Sequence, residues 1–167
     1  MRLLTAISFM LLATPAAAQD IDVEFDQSAD FSRYKTFAIQ AGQTNTKAPA
    51  LNNELVRKKI ENELRKALTA KRLTEASGPA DLNVFYALGA ARRNEVDRFP
   101  AGWRGRRARV VRTQVAEGTL TIDLRDTSKR ELVWRAIAVE RESNPSKIED
   151  RLDEMVKKSI DKYPPKK

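Results

Sequence analysis

The chain has 167 residues, a formal net charge of +8, no histidine and no cysteine. Without these residues it lacks the commonest general base, the thiol nucleophile and the usual soft metal ligands, and it cannot form disulfides. Hydrolases that use a histidine-containing or cysteine-containing triad are therefore excluded, and a domain of this length must be stabilised by burial of apolar surface.

The first 18 residues have the pattern of a cleavable secretory signal peptide. Arg2 precedes an uncharged, largely apolar stretch over residues 3–13, and Ala16-Ala17-Ala18 supplies the small residues that signal peptidase accepts. The apolar stretch is too short to span a bilayer, so we expect no transmembrane segment. Because there is no cysteine, we also expect no lipid anchor. The sequence predicts a periplasmic protein in which residues 19–167 form one domain.

Two short strands are predicted at the start of that domain. Ile21, Val23 and Phe25 alternate with acidic residues, which is the period of a strand with one buried face. Residues 34–39 are rich in aromatic and β-branched side chains and predict a second strand. The polar residues 40–50 predict a loop.

A helix and a buried strand are predicted next. Apolar residues recur at steps of one, three and four between Leu51 and Leu68, so residues 53–71 predict a helix with one buried stripe and Asn52 or Asn53 as its N-cap. Residues 82–88 are apolar on both alternating sets, which predicts a central strand that is buried on both faces.

The C-terminal half predicts a hairpin and a second helix. Residues 120–124 and 132–139 read as two strands joined by a turn at 126–129, and a further strand is possible near 110–115. A capping box that begins at Ser146 predicts a helix that ends before Pro164-Pro165. The order of these elements predicts an α+β fold: an antiparallel or mixed sheet of about five strands with two helices packed on one face.

An arginine-rich segment is the main candidate for a functional site. Between residues 92 and 112 the sequence has eight arginines and two acidic residues, and Gly102, Gly105 and Pro100 interrupt any regular pattern. We interpret residues 89–112 as an irregular basic loop. The residues predicted to contact an anion or partner are Arg92, Arg93, Arg98, Trp103, Arg104, Arg106, Arg107, Arg109 and Arg112.

Arginine suits anion recognition because its guanidinium group binds phosphate or carboxylate with two parallel hydrogen bonds and also stacks on rings. In the envelope, the candidate partners are anionic lipid, the phosphates of lipopolysaccharide, or an acidic envelope protein. Nucleic acid is an implausible partner outside the cell. The alternative is a solvated loop whose charge only keeps the protein soluble.

Other candidate sites are weaker. Trp134 lies among apolar neighbours and is expected in the core rather than as a stacking platform for a ligand. Asp22, Asp26 and Asp30 could supply oxygen ligands for calcium, but their spacing lacks the glycine and the closing glutamate of an EF-hand, so a strand edge and a helix cap explain them better. We expect no metal, no cofactor and no catalytic residue. The enzymatic alternatives are a hydrolase that uses carboxylates and one that uses a Ser-Lys dyad.

Five motifs occur in a fixed order along the chain: residues 29–37 (ADFSRYKTF), 80–86 (ADLNVFY), 117–124 (EGTLTIDL), 132–135 (LVWR) and 163–165 (YPP). In these motifs the chain resembles the bacterial domain-of-unknown-function family 4136. The resemblance implies a Gram-negative envelope protein with a compact α+β domain, and it carries no established activity, ligand or catalytic residue. Members are often lipoproteins, whereas this chain has no cysteine to lipidate, and Ala136 stands where the family pattern leads us to expect glycine.

These observations lead to three functional hypotheses. The first is a non-enzymatic periplasmic protein that binds an anionic envelope component or partner through the arginine-rich segment. The second is a carrier of a small anionic or amphipathic ligand, held in a pocket between the helices and the sheet. The third is a plain structural domain.

Overall fold

The computed structural model describes residues 20–101 and 107–166, and for residue 95 and the ranges 97–101 and 107–112 it describes the backbone only. The predicted signal peptide, residues 1–18, lies outside the described residues. None of the described helices is long and apolar enough to cross a membrane.

Seven strands and two α-helices follow one another along the described chain. In order they are β1 (Asp20–Phe25), a 3-10 helix (Phe31–Arg33), β2 (Thr36–Ile39), β3 (Gln43–Asn45), α1 (Glu54–Ala70), β4 (Thr74–Glu75), β5 (Leu82–Ala101), β6 (Arg107–Asp126), β7 (Glu131–Glu142) and α2 (Pro145–Asp161).

The strands form one mixed sheet in the order β1-β7-β6-β5-β2-β4, with β3 also paired to β5. The pairs among β1, β7, β6 and β5 are antiparallel, whereas β2 and β3 run parallel to β5 along one of its edges. The predicted α+β class is confirmed. The sheet has more strands than expected because β3 and β4 are only three and two residues long. Their polar sequences carry no strand pattern and they form by pairing with longer neighbours.

Both helices cover the same face of the sheet. The register places Leu124, Val84 and Trp134 on this face, and all three are fully buried. The Tyr86 hydroxyl, also on this face, donates a 2.7 Å hydrogen bond to Glu61 Oε1 of α1. Fully buried side chains from α1 and α2 complete a single core between the helices and the sheet: Val56, Ile60, Leu64, Leu68, Ile148, Leu152, Met155, Val156 and Ile160.

The two helices lie side by side and run parallel. Lys59 Nζ of α1 donates to the carbonyl oxygen of Glu149 at 2.7 Å, and Lys71 Nζ, one residue past α1, donates to that of Asp161 at 2.9 Å. Because both bonds join residues 90 positions apart, the helices keep the same direction over their whole length. Their N-termini therefore lie at the same end of the molecule.

The helix starts follow from their caps. Asn53 Oδ1 accepts a 2.9 Å bond from the backbone N–H of Val56, which confirms one of the two predicted caps of α1. For α2 the predicted start at Ser146 is wrong. Asn144 Oδ1 accepts from the N–H of Lys147 at 3.2 Å, and Pro145 occupies the first helical position, where its missing N–H costs no hydrogen bond.

Strand β5 is central in the sheet as predicted, but it is buried on one face only. Val84 and Leu88 are fully buried against the helices, whereas Phe85 on the opposite face is 39% exposed. The two described helices both lie on the other side of the sheet, so neither of them covers Phe85. The predicted hairpin with its turn at 126–129 is confirmed by the antiparallel pairing of β6 and β7.

The predicted irregular loop is wrong where the structure describes it. Residues 89–101 belong to β5 and residues 107–112 to β6, and the two strands pair without interruption from Leu82↔Asp126 to Ala101↔Arg107. The possible strand near 110–115 is the first part of β6. Cross-strand hydrogen bonds along a partner of matching length outweigh the weak strand propensity of the arginines and Pro100.

Candidate functional site: the arginine-bearing arm and the groove at its base

The end of the β5–β6 hairpin extends beyond the rest of the sheet. Strand β3 pairs with β5 only as far as Gly89, and β7 pairs with β6 only from Ala116 onwards. We call the remaining two-stranded ribbon, residues 90–101 and 107–115, the arm. At about 3.3 Å per residue it extends on the order of 35 Å. Ala90, at its base, is partly buried against the core, and none of its other described side chains belongs to the core.

The arm carries most of the predicted contact residues. Arg92, Arg93, Arg98, Arg107, Arg109 and Arg112 occupy positions on its two paired strands, whereas Trp103, Arg104 and Arg106 lie outside the described residues. The register brings Arg98 opposite Val110, Phe99 opposite Arg109 and Ala101 opposite Arg107. The fold thus collects arginines from two separate stretches of sequence onto one narrow ribbon.

Arg93 has a structural contact at the base of the arm. Its Nε lies 2.9 Å from Glu117 Oε1, and Arg141 Nε of β7 lies 2.9 Å from Glu117 Oε2. The carboxylate of Glu117 is therefore shared between one arginine of the arm and one of the body. This contact fixes the base of the arm to β7, so Arg93 contributes less free positive charge than Arg92, for which no ion pair is found among the described side chains.

An open groove lies next to the base of the arm. It has a volume of about 910 Å³, and its lining includes Ala48, Pro49, Ala90 and Pro145. The groove forms because the sheet continues past the point where the helices begin. Ala90 follows the buried Leu88 on the helix-facing side of β5. At the level of Ala90, the groove lies between residues 45–50, which precede α1, and the start of α2.

The electrostatics of the groove favour anions. The lining contains two basic side chains, Lys47 and Arg92, and no acidic one. Pro145 and Ser146, at the N-terminus of α2, line the groove, so the partial positive charge of this helix dipole adds to those side chains.

A network of hydrogen bonds lies at the opposite end of the strands. Asp126, which is 1% exposed, accepts bonds from Ser128 and from the Tyr34 hydroxyl, the latter at 3.0 Å. The bond from the Ser128 side chain contributes most to lowering the pKa of Asp126 to about 2. Burial, followed by the bond to Asp126, raises the pKa of Tyr34 to about 12.

The carboxylate of Asp81, at the same end of the strands, also accepts several hydrogen bonds. Its Oδ2 accepts bonds from the backbone N–H groups of Lys35 and Thr36, each at 2.9 Å, and these lower the pKa of Asp81. The motifs at 29–37 and 80–86 therefore meet in space, where they hold β2 beside β5. The carboxylates of Asp126 and Asp81 thus accept hydrogen bonds from donors that surround them in the fold, which is typical of structural contacts.

The weaker candidates also have structural roles. Trp134 is fully buried and packs edge-on against Tyr163, with 5.8 Å between ring centroids, which confirms that it is a core residue. Asp26 and Asp30 accept hydrogen bonds from Ser28 and Ser32 in local turns, and Asp22 lies on edge strand β1. Over residues 20–101 and 107–166 no group of three or more potential metal-ligating side chains comes together.

Sequence reasoning missed two parts of this site. It missed the paired form of the arm, for which the β-branched residues near 110–115 were the available signal. It also missed the groove, since Lys47, Ala90 and Pro145 are far apart in sequence and no local pattern links them.

Comparisons with solved structures show the fold. The chain superimposes on a PDZ domain protein from Parabacteroides distasonis with a TM-score of 0.62 and 16% identity, covering 88% of this chain but only 36% of that one. A DUF4136 family protein from Bacteroides thetaiotaomicron gives a TM-score of 0.52 and 16% identity, with 87% and 96% of the two chains covered. A neuraminyllactose-binding hemagglutinin homolog from Helicobacter pylori gives 0.52 and 9% identity, with 80% and 87% covered.

No curated protein matches the chain in sequence. The model of the family described as "Domain of unknown function (DUF4136)" matches residues 21–165, which is nearly the whole region predicted to remain after signal cleavage. This match confirms the predicted resemblance. The chain belongs to the DUF4136 family.

Proposed function

We propose that the protein is a non-enzymatic component of the bacterial envelope, exported to the periplasm, and that its arm binds an anionic surface formed by acidic lipids or by the phosphates of lipopolysaccharide. The observation that carries this proposal is the form of the arginine-rich segment. It is a paired ribbon that extends beyond the helix-covered body, so its arginines can reach a surface that the body does not touch.

The physical properties of the arm support this role. A two-stranded ribbon without further layers is only marginally stable in water, so contact with a surface would contribute to its stability. Six arginines occupy its paired strands against Glu95 and Asp97, which leaves a net positive charge. Each basic residue near an anionic membrane surface contributes about 1 kcal/mol of binding free energy.

The likeness to known structures is compatible with a binding role. A neighbour from Helicobacter pylori is a homolog of a neuraminyllactose-binding hemagglutinin, but the likeness at this level of identity concerns the fold alone.

The carrier hypothesis requires a pocket between the helices and the sheet. The space between the packed helices and the sheet is filled by fully buried side chains, including Ile60, Leu64 and Ile122, which argues against that hypothesis. The arm is therefore the stronger basis for a function.

The experiment is co-sedimentation with vesicles that contain phosphatidylglycerol. The test variant replaces Arg98, Arg107 and Arg109 with glutamine. Loss of three charges should weaken binding by about 3 kcal/mol, or about 100-fold. Binding of the unaltered protein should also fall steeply between about 0.1 M and about 1 M salt, because screening shortens the range of the attraction.

A matched control loses the same charge elsewhere. Lys58, Lys66 and Lys157 lie on the exposed sides of the helices, and their replacement with glutamine should leave vesicle binding nearly unchanged. Equal losses in both variants would show that only the net charge matters. Binding that is independent of salt, or equal binding to neutral phosphatidylcholine vesicles, would contradict the proposal. In that case the arginines serve to keep the free strand edges of the arm from pairing with other chains.

A further inference from the structure

The groove at the base of the arm has the size and lining of a ligand site. Its volume of about 910 Å³ falls within the range of pockets that hold small organic ligands, roughly 300–1,000 Å³. Apolar side chains form much of its wall: Ala48, Pro49, Ala50, Ala90, Ala91 and Pro145. A ligand in this groove would bury apolar surface, which favours an occupant with a hydrocarbon part.

The lining of the groove also carries positive charge. Lys47 and Arg92 are both exposed, and neither forms an ion pair with another described side chain. Lys47 lies in the loop before α1, and Arg92 lies near the base of the arm on β5, so the two side chains come from different segments of the chain. A phosphate between them would receive charge-assisted hydrogen bonds from an ammonium and a guanidinium group.

We infer that the groove binds one anionic amphiphile, a lipid whose phosphate contacts Lys47 and Arg92 and whose acyl chain lies against the alanine and proline side chains. This inference rests on the proposed function in one respect. An arm docked on an anionic membrane would hold its base, and with it the groove, near the membrane lipids. The groove itself can be tested without a membrane.

The test uses soluble dihexanoyl phosphatidylglycerol below its critical micelle concentration, measured by isothermal titration calorimetry with the full exported protein. Replacement of Lys47 and Arg92 with glutamate should weaken binding by about 100-fold, because two charge-assisted hydrogen bonds are lost. The matched control replaces Lys35 and Lys129 with glutamate. These two lysines are exposed at the opposite end of the strands, and their replacement should leave the affinity within about 2-fold.

Two ligand series separate the parts of the site. The dibutanoyl lipid is shorter by two methylene groups per chain, so burial of one chain predicts affinity about 15-fold weaker. Inorganic phosphate should bind far more weakly still, since it offers the charge without the chain, and dihexanoyl phosphatidylcholine should bind more weakly because its headgroup is neutral overall. Affinity that does not depend on chain length would overturn the assignment of the groove to an amphiphile.

The outcome is distinguishable from that of the proposed function. The Arg98, Arg107 and Arg109 variant should lose vesicle binding while it retains the soluble lipid. Loss of the soluble lipid in that variant, or unchanged binding in the Lys47 and Arg92 variant, would overturn the groove assignment. If the unaltered protein binds the soluble lipid but fails to bind vesicles, that result would instead refute the role of the arm and leave the groove assignment intact.

Discussion

Substitution of Gly118 by alanine tests the packing of α2 on the sheet. Gly118 lies in β6 on the helix-facing side, and a Cβ atom there would lie 2.5 Å from Ile148 Cγ2 and 3.2 Å from its Cδ1. The methyl group at 2.5 Å must move by about 1 Å to reach normal contact, which requires a new rotamer of Ile148 or a shift of the start of α2. Overpacking of this kind costs about 1–3 kcal/mol.

The reduced freedom of alanine in the unfolded chain offsets about 0.4–1 kcal/mol of that cost. We therefore expect Gly118→Ala to lower the free energy of unfolding by up to about 2.6 kcal/mol, measured by urea denaturation followed by circular dichroism. Gly89→Ala is the matched control, because Gly89 lies in the adjacent strand and its added Cβ would meet nothing closer than 3.9 Å. Gly89→Ala should leave stability unchanged or slightly raised. Equal destabilisation of both variants would refute the packing of Ile148 on Gly118.

Three further predictions concern folding and pH. Asn144→Ala should destabilise the protein by about 1 kcal/mol in urea denaturation, since it removes the cap of α2, whereas Ser146→Ala should have little effect. The ionised form of Asp126 stabilises the fold above about pH 4, and that contribution is lost as the pH falls toward its folded-state pKa of about 2. The Asp126→Asn variant should therefore be less stable than the unaltered protein at neutral pH, and its stability should fall less steeply on acidification. A parallel decline of stability in both proteins would contradict this. Replacement of residues 95–113 by an Asn-Gly turn should change the free energy of unfolding by less than about 1 kcal/mol, because no described side chain of this segment belongs to the core. A large loss of stability would show that the segment stabilises the body.

The sequence predicts those elements whose own residues carry the pattern. The apolar stripe between Leu51 and Leu68 defines α1 to within a residue of its observed start, and the alternation in 120–124 defines the confirmed hairpin. These elements have many buried residues at a regular spacing, so local sequence and tertiary packing favour the same structure.

Elements that depend on a partner could not be predicted in this way. The arm contains Pro100 and a high density of arginine, and it is a strand because each residue pairs with one on the opposite strand. Strands β3 and β4 are too short to show a period at all. The cap of α2 was misplaced by two residues because Ser146 and Asn144 both have side chains suited to capping, and the choice follows from Pro145.

The candidate site also has one part that the sequence predicts and one part that it does not. Charge density is a property of composition, so the arginine residues were identified from the sequence. The groove depends on where the helix layer stops relative to the sheet, which brings together Lys47, Arg92 and Pro145 from three segments. Only the spatial arrangement shows that a basic surface and an apolar one lie side by side.

Photocrosslinking in intact cells that export the protein tests the central claim most directly. A photoreactive residue at Val96, which is 50% exposed on the arm, should crosslink to anionic lipid or lipopolysaccharide. The same residue at Lys129, exposed at the opposite end of the strands, should give little or no such product. Equal labelling from both positions, or no lipid product from position 96, would contradict the conclusion that the arm contacts an anionic envelope surface.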